Sequence, residues 1–335
     1  MDLFLPQVKP SKQHFMFKMM LEERFAPERQ VLNAWAEGFL DRDGKFVREF
    51  QTTFESGLWE LYLNAVLNKC WGLNPDMSVP TPDFVIKNPS PLCIEATIAM
   101  PPNGKRGPIG WKIHDIPEDF NKFNSDASIR ICNSFSYKVR RYRENYSKLS
   151  YVKGRPYVIA IAAFDCPLSH FAAERPLFSA IYGLYYDESR TPIGSKKVTS
   201  YNVFSAKKSE KIEVPLGLFC DRSYSDVSAV IYSSLVTWGK VRALAVNPSE
   251  KTIYTTYHPN KYSIQEKVFH TLKYDYSEHL LDGTFICHNP FANYPIKKGI
   301  LSHPRVAEVR VAPDGELLIE APDDFLLIRT LLSFR

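Results

Sequence analysis

The feature that most constrains the fold is residues 156–164, which hold the longest clean apolar run of the chain. After Pro156, the run is a strand-length series of aliphatic and aromatic residues. A run of this kind predicts a β-strand that is buried on both of its faces. Strands buried in this way lie in sheets that have helices on each side, so the run favours an α/β fold.

Two segments before this strand complete a crossover unit. Residues 92–99 have the composition of a second strand, and residues 127–149 carry apolar side chains at helical spacing. A strand, a helix and a second parallel strand form a right-handed βαβ unit in almost all proteins. We therefore expect 92–99 and 156–164 to be parallel neighbours in a mixed sheet that is flanked by helices.

The patterns in the rest of the chain predict further helices and strands, some more strongly than others. The strongest helix prediction is 54–71, which is apolar on most sides and leaves only a narrow polar stripe. A strand at 83–87 and a turn at 88–91 precede the strand at 92–99. Other predicted elements are helices at 12–25, 27–40 and 323–334, strands at 228–232 and 252–256, and a hairpin that joins 306–311 to 317–319.

These elements divide the chain into three parts. Residues 1–50 form a helical segment, and residues 51–165 hold the elements of the α/β core. Residues 166–335 extend that core as an α+β region to which the sequence assigns no function. At 335 residues, the chain is long enough for one large domain or two ordinary ones.

The composition argues against several classes of function. The six cysteines are scattered without a Cys-x-x-Cys pair, which disfavours a zinc site or a redox pair and indicates a reducing compartment. Phosphate-loop, dinucleotide-binding and Gly-x-Ser-x-Gly motifs are absent. No signal peptide or apolar stretch of membrane-spanning length is seen, so we expect a cytoplasmic protein with no membrane partner. A net charge of +5 permits nucleic acid as a partner without requiring it.

Carboxylates are concentrated on the elements that lead into the crossover unit. Glu60 lies on the polar stripe of helix 54–71, Asp83 opens a strand after Pro82, and Glu95 lies among apolar residues of the next strand. A charged residue in such a strand is costly to bury without a partner. Metal-assisted phosphodiester cleavage needs several hard oxygen ligands on rigid elements. The pattern therefore predicts a site for Mg²⁺ or Mn²⁺.

Two open points decide whether these carboxylates meet. Asp83 falls opposite Glu95 on one sheet face if the connection between their strands has an odd number of residues, and on the other face if the number is even. On helix 54–71, Glu55 competes with Glu60, because one helix face cannot present both. The sequence leaves the register undetermined and both glutamates as candidates.

A lysine near the carboxylates would orient the attacking water or neutralise developing charge. Lys138 projects from helix 127–149 among apolar side chains, where a buried amine needs a partner such as a carboxylate. Thr97 shares a strand face with Glu95, and its hydroxyl is a candidate to orient a water. The other cations of the helix are interpreted as a solvent-facing basic surface: Arg140, Arg141 and Arg143.

The order of a helix acid, a strand that opens with Pro82-Asp83, a strand with Glu95-Ala96-Thr97, a helix and a buried strand resembles the PD-(D/E)XK nuclease superfamily. The likeness to the superfamily covers residues 54–165. The chain also resembles a group of bacterial proteins of similar length. Thr97 departs from the motif, because most members have a lysine at this position. Some members carry the lysine on a neighbouring element instead.

The resemblance implies a restriction-endonuclease-like core with a long C-terminal elaboration. It implies that Glu60, Asp83 and Glu95 hold the metal together with the Ala96 carbonyl, and that Lys138 takes the place of the missing lysine. Such an enzyme would hydrolyse phosphodiester bonds, with DNA as the favoured substrate, by direct attack of water and without a covalent intermediate.

The biological setting that the resemblance implies is DNA processing or defence against phage, in a homodimer or a larger assembly. The alternative is an inactive member of the same fold that binds nucleic acid or a protein partner, with Thr97 recording the loss of catalysis. The sequence does not distinguish an endonuclease from an exonuclease.

Overall fold

The run predicted to be a buried strand lies in the middle of a seven-stranded mixed sheet that has helices on both faces, so the protein has an α/β fold. The computed structural model describes residues 1–335 except 103, 104, 106, 109, 111, 196, 248–250 and 335. Within these residues, the helices are α1 (Phe15–Met20), α2 (Ala26–Trp35), α3 (Phe46–Thr53), α4 (Glu55–Lys69), α5 (Phe120–Arg141), α6 (Arg175–Tyr182) and α7 (Trp238–Leu244).

The strands, in chain order, form one large sheet and three small ones. They are β1 (Phe84–Ile86), β2 (Leu92–Ala99), β3 (Tyr157–Ala163), β4 (Leu184–Asp187), β5 (Thr199–Asn202), β6 (Ser205–Ser209), β7 (Ile212–Pro215), β8 (Ala229–Ser233), β9 (Thr252–His258), β10 (Lys267–Leu272), β11 (Thr284–His288), β12 (Val306–Val311), β13 (Leu317–Glu320) and β14 (Ile328–Ser333). The large sheet has the order β1-β2-β3-β8-β11-β12-β13. The small sheets are β10-β9-β14, β4-β5 and β6-β7.

The predicted crossover is confirmed, because β2 and β3 pair in parallel and α5 connects them. β3 also pairs in parallel with β8, which places it inside the sheet, and all of its residues are buried. The predicted hairpin of β12 and β13 is confirmed as an antiparallel pair. The C-terminal region therefore completes the sheet on which the N-terminal half depends.

Side chains of β3 alternate between two hydrophobic cores. Val158 and Ala160 join the core under α4, while Ile159 and Ile161 join the core under α5. This alternation is the two-residue period of a strand. It assigns each helix to one face of the sheet, and it determines which residues of β1 and β2 face α5.

α4 is held against the sheet by a buried tryptophan. Trp59 is almost fully buried, and its indole Nε1–H donates to the Ala160 carbonyl of β3 at 3.1 Å. Further along α4, the Tyr62 hydroxyl donates to the Leu280 carbonyl at 3.1 Å. These two bonds fix the helix along the sheet, and Glu60 lies between them in the chain.

We expect Trp59→Phe to lower the free energy of unfolding by about 2 kcal/mol, because the buried Ala160 carbonyl loses a donor and packing is lost. Chemical denaturation followed by circular dichroism measures this change. Trp71→Phe is the matched control, because the buried indole N–H of Trp71 has no hydrogen-bond partner among the described residues. A control that costs as much as Trp59→Phe would contradict the role of the hydrogen bond.

The prediction of a final helix at 323–334 is wrong, because Ile328–Ser333 forms strand β14 and pairs with β9. Arg329 explains the difference. Its side chain is buried and donates to Glu278 Oε1 at 2.5 Å and to the Leu235 carbonyl at 2.6 Å. A buried guanidinium requires such partners, which lie far away in the sequence.

Three other helix predictions have wrong boundaries. Residues 12–25 contain the short helix α1 with single 3₁₀ turns before and after it, and the second helix ends at Trp35 rather than near residue 40. α5 begins at Phe120, earlier than predicted, because the Asp119 side chain accepts from the Lys122 N–H at 3.0 Å and caps the helix. No helix among the described residues has the length and apolar character needed to cross a membrane.

Candidate metal centre

Asp83 and Glu95 lie opposite each other at the end of the β1–β2 hairpin. Phe84 pairs with Ile94, so one further step places Asp83 across from Glu95. The connection is residues 87–91, an odd number, as this pairing requires. The Asp83 N–H approaches Glu95 Oε2 at 3.4 Å. The structure thus brings the two carboxylates together on the face of the sheet that α5 covers.

Pro82 explains why the β1 ladder ends at this point. The next residue pair would join Pro82 to Ala96, and proline has no N–H to donate to the Ala96 carbonyl. The Ala96 N–H instead donates to Asp83 Oδ2 at 2.7 Å. Because the N–H and the carbonyl of one strand residue point to the same side, the Ala96 carbonyl is directed toward Asp83.

Lys138 reaches this pair from α5. Its Nζ donates to Glu95 Oε1 at 2.7 Å, and the Glu95 side chain is only 3% exposed. The expected carboxylate partner of this buried lysine is therefore present. α5 is fixed at this position because the Ser134 hydroxyl donates to the Ile98 carbonyl of β2 at 3.0 Å.

Glu60 belongs to the same electrostatic cluster. Burial, together with the nearby charge of Asp83, raises the pKa of Glu60 to about 8, and the charge of Lys138 partly offsets this rise. Glu55 lies elsewhere, with Oε1 3.7 Å from His14 Nε2, and burial raises its pKa without a contribution from Asp83. Of the two glutamates on α4, Glu60 is therefore the one whose pKa is raised by the charge of Asp83.

The charge of Glu95 is also disfavoured in this environment. Burial and the charge of Asp83 raise the pKa of Glu95 to about 7, although Lys138 and Arg141 act in the opposite direction. Within the described residues, no group of three or more histidine, cysteine, aspartate or glutamate side chains is arranged to hold a metal ion. In this structure, Lys138 and main-chain N–H groups contact the carboxylates instead.

Thr97 follows Glu95 on the same face of β2 and is half-buried. It lies opposite Ile161 of β3, and its side chain carries a neutral hydroxyl. The structure places Thr97 one side-chain step from Glu95 along β2. Thr97 therefore lies next to the carboxylates of Asp83 and Glu95 and brings no charge to them.

Two residues near the carboxylates were not assigned to the site from the sequence: Arg141, which was interpreted as part of a solvent-facing surface, and Tyr146. The Arg141 guanidinium lies over the Tyr146 ring at 5.5 Å, and its charge acts on Glu95. Burial and the charge of Glu95 raise the pKa of Tyr146 to about 12. The signal for Arg141 is its spacing, because it follows Lys138 by three residues, close to one helical turn. Arg143 instead pairs with Asp226 at 2.6 Å, away from this site.

We expect Glu60→Gln to stabilise the metal-free protein at pH 8.5 on the order of 1 kcal/mol, because it removes a buried charge. The pKa of Glu60 is raised in the folded state, so the folded protein favours the neutral side chain. The stability that neutral Glu60 contributes is fully present below pH ~4.5 and is lost as the pH rises through about 8. The gain from the substitution should therefore disappear at low pH. Thermal unfolding in EDTA across this pH range measures it, and a gain that is equal at all pH values would contradict the assignment.

Comparisons of the chain with protein-family models, with curated proteins and with solved structures give no match. The chemical interpretation therefore depends on the geometry of Asp83, Glu95 and Lys138, on the charge of Glu60 and on the strand ending at Pro82. The three carboxylates are oxygen ligands of the type that Mg²⁺ prefers, and the amine of Lys138 lies beside them.

Proposed function

We propose that this protein is a divalent-metal-dependent nuclease with a restriction-endonuclease-like core, and that it acts in the cytoplasm. The observation that carries the proposal is the contact of Lys138 with Glu95, directly beside Asp83. Two carboxylates on paired strands and an amine from the crossover helix give the two kinds of group that metal-assisted phosphodiester hydrolysis uses.

The donor set fits Mg²⁺ or Mn²⁺. The residues that would hold the ion are Glu60, Asp83 and Glu95, with the Ala96 carbonyl as a neutral ligand. The raised pKa values of Glu60 and Glu95 support this assignment, because carboxylates that repel each other in a buried site gain from a divalent counter-charge. When bound, the ion would supply Lewis-acid stabilisation of the phosphate and would activate water at neutral pH.

Three side chains near the proposed metal ion would each have a different role. Lys138 Nζ lies within hydrogen-bond distance of Glu95 and would orient the attacking water or contact the phosphate. Arg141 brings a second positive charge to the same region and would stabilise the charge that develops on the phosphate. The Thr97 hydroxyl would hold a water on the same face of β2.

DNA is the substrate that we favour, and DNA processing or phage defence is the biological setting that we infer. The net charge of +5 is compatible with a polyanionic partner. Cutting both strands of a duplex would require two sites, so we infer a homodimer or a larger assembly as the active form.

A second function has its own support. Asp83 and Glu95 already accept hydrogen bonds from Lys138 and from main-chain N–H groups, so these two carboxylates have partners without an ion. This arrangement favours an inactive nuclease-like module that binds nucleic acid or a protein partner, with Thr97 in place of the motif lysine. The two functions differ in whether the purified protein cuts.

Cleavage of supercoiled plasmid, single-stranded DNA and RNA in Mg²⁺ or Mn²⁺ tests the proposal. We expect nicking or degradation of at least one of the DNA substrates, abolished by EDTA and retained in Glu55→Gln, which replaces the other glutamate of α4. The absence of cutting by the wild-type protein, together with binding of the same DNA in EDTA, would instead support the inactive module.

We expect the stabilisation of the protein by Mg²⁺ to increase from pH 6 to pH 8.5, because the ion binds ionised carboxylates. The pKa values of about 7 for Glu95 and about 8 for Glu60 mean that both groups are largely protonated at the lower pH. The shift in melting temperature at a fixed Mg²⁺ concentration measures this effect. A shift that does not depend on pH, or that decreases as the pH rises, would contradict binding by these carboxylates.

A further inference from the structure

A polar cavity, separate from the metal centre, lies on the α5 side of the sheet, beyond the end of β3. It has a volume of about 630 Å³. Its walls come from the first half of α5, from the segment after β3, from Lys208 of β6 and from described residues of the segment between β2 and α5: Pro102, Lys105, His114 and Asp115. This volume lies within the range of small-ligand sites. The cavity contains none of the residues assigned to the metal centre.

Asp165 gives this cavity an unsatisfied polar group. The residue is 7% exposed and lines the cavity, yet its buried Oδ1 has no hydrogen-bond partner among the described residues. Burial raises the pKa of Asp165 to about 6, while its own main-chain N–H, the charge of Arg130 and the Cys166 thiol act in the opposite direction. The group is therefore largely ionised at neutral pH, and Oδ1 is the oxygen that lacks a donor. A buried carboxylate oxygen without a donor is costly, and a ligand that supplies an N–H would remove that cost.

Cations line the same cavity. Within the described residues, Arg130 and Lys208 have no carboxylate at ion-pair distance, whereas Lys122 is paired with Asp126 at 2.9 Å. The charge of Arg130 acts on Asp165, which shows that the two residues are close together. The cavity thus combines one buried acceptor with four basic side chains, which outnumber its two other carboxylates, Asp115 and Asp126.

An aromatic ring and an aliphatic residue complete the walls. Phe123 is partly exposed and lines the cavity, and Ile129, which is buried in the core under α5, also lines it. A flat ring next to a hydrogen-bond acceptor and cations is the combination that binds a nucleobase and its phosphate. A carboxylate favours bases whose edge carries amino or N–H donors.

The position of the cavity relates it to the metal centre. Glu95 lies opposite Ile159 of β3, and Asp165 follows six residues later, roughly 20 Å along the strand direction. Arg130 precedes Lys138 on α5 by eight residues, about 12 Å along the helix. Both sites therefore lie under the same helix, at a separation that a short stretch of polynucleotide spans.

We propose that this cavity binds one nucleotide unit, with Asp165 accepting an N–H from the base, Phe123 against the base plane, and Arg130 and Lys208 facing the phosphate. The unit belongs either to a nucleic acid that continues to the metal centre or to a free nucleotide. Guanine is the preferred base, because its N1–H and amino group lie side by side, while uracil and thymine bind worst, because carbonyl oxygens flank their N–H. Binding requires neither metal nor cleavage, so the inference is separable from the nuclease proposal.

Binding of GMP, AMP, CMP and UMP to the full chain in EDTA tests the inference by calorimetry. Fluorescence anisotropy of short labelled oligonucleotides with one guanine or one thymine forms the second arm. We expect binding that favours guanine in at least one arm. Binding in both arms identifies a site open to free nucleotides, and binding in the second arm alone identifies a subsite for nucleic acid.

Asp165→Asn is the diagnostic variant. We expect it to weaken guanine binding at least about tenfold and to shift the preference toward uracil or thymine, because the amide replaces an acceptor by a donor. Arg130→Gln should instead weaken all bases alike. Glu23→Gln, whose carboxylate is 95% exposed on another part of the chain, is the control and should bind like the wild type. Equal affinity for all bases, no binding in either arm, or an unchanged preference in a folded Asp165→Asn protein would overturn the inference.

Discussion

Glu95→Gln is expected to reduce Mg²⁺-dependent cleavage by at least about 10³-fold, while the protein remains folded. Glu95 is the side chain that contacts both Asp83 and Lys138, so its charge serves the metal and the amine at once. The glutamine keeps the shape and an acceptor for Lys138 but lacks the negative charge that a divalent ion needs.

Single-turnover cleavage of plasmid at saturating Mg²⁺ measures the loss, and thermal unfolding in EDTA checks that Glu95→Gln is folded. Because burial raises the pKa of Glu95, we expect the metal-free variant to be at least as stable as the wild type at pH 8. A folded Glu95→Gln protein that cuts at the wild-type rate would show that the chemistry takes place elsewhere.

Lys138→Met is expected to reduce the cleavage rate by about 10²-fold and to leave Mg²⁺ affinity nearly unchanged, because the amine assists the reaction without holding the ion. Methionine retains the apolar stem of the side chain, which is 13% exposed, and removes the charge. The double variant Lys138→Met, Thr97→Lys places an amine at the motif position, on the same strand face as Glu95. It should recover at least part of the lost rate.

The rates at saturating Mg²⁺ and the Mg²⁺ concentration that gives half of the maximal rate separate the two tasks of this site. Thr97→Lys alone is the control for any effect of an added positive charge. If Lys138→Met weakens metal binding without slowing the reaction, or if it has no effect on either quantity, Lys138 is not the functional replacement of the motif lysine.

The core elements were predictable because their signals are local. The apolar run of β3 and the composition of β2 each require burial within a sheet, and α4 is apolar on most of its surface. The register of β1 against β2 was left undetermined, and only the folded chain shows the pairing that the odd connection 87–91 allows. A helical wheel indicated that Lys138 needs a carboxylate partner, and the folded chain shows that this partner is Glu95.

Other parts depend on contacts between distant residues. β14 was predicted to be a helix, because nothing near Arg329 in the sequence shows that Glu278 and Leu235 are its partners. Tyr146 was missed as a neighbour of the site because the chain leaves α-helical geometry after Arg141 and forms a π-helical turn at Tyr142–Tyr146. A wheel drawn at α-helical spacing does not hold through such a turn.

The most direct test of the metal centre is anomalous diffraction from crystals of the protein soaked in Mn²⁺. Our account predicts a peak between Asp83 and Glu95, at about 2.0–2.3 Å from one oxygen of each carboxylate and near the Ala96 carbonyl, with Lys138 Nζ moved away from Glu95. The peak should be absent from Glu95→Gln crystals under the same conditions. Ordered wild-type carboxylates with Lys138 still bound to Glu95 and no peak at this position would contradict the account.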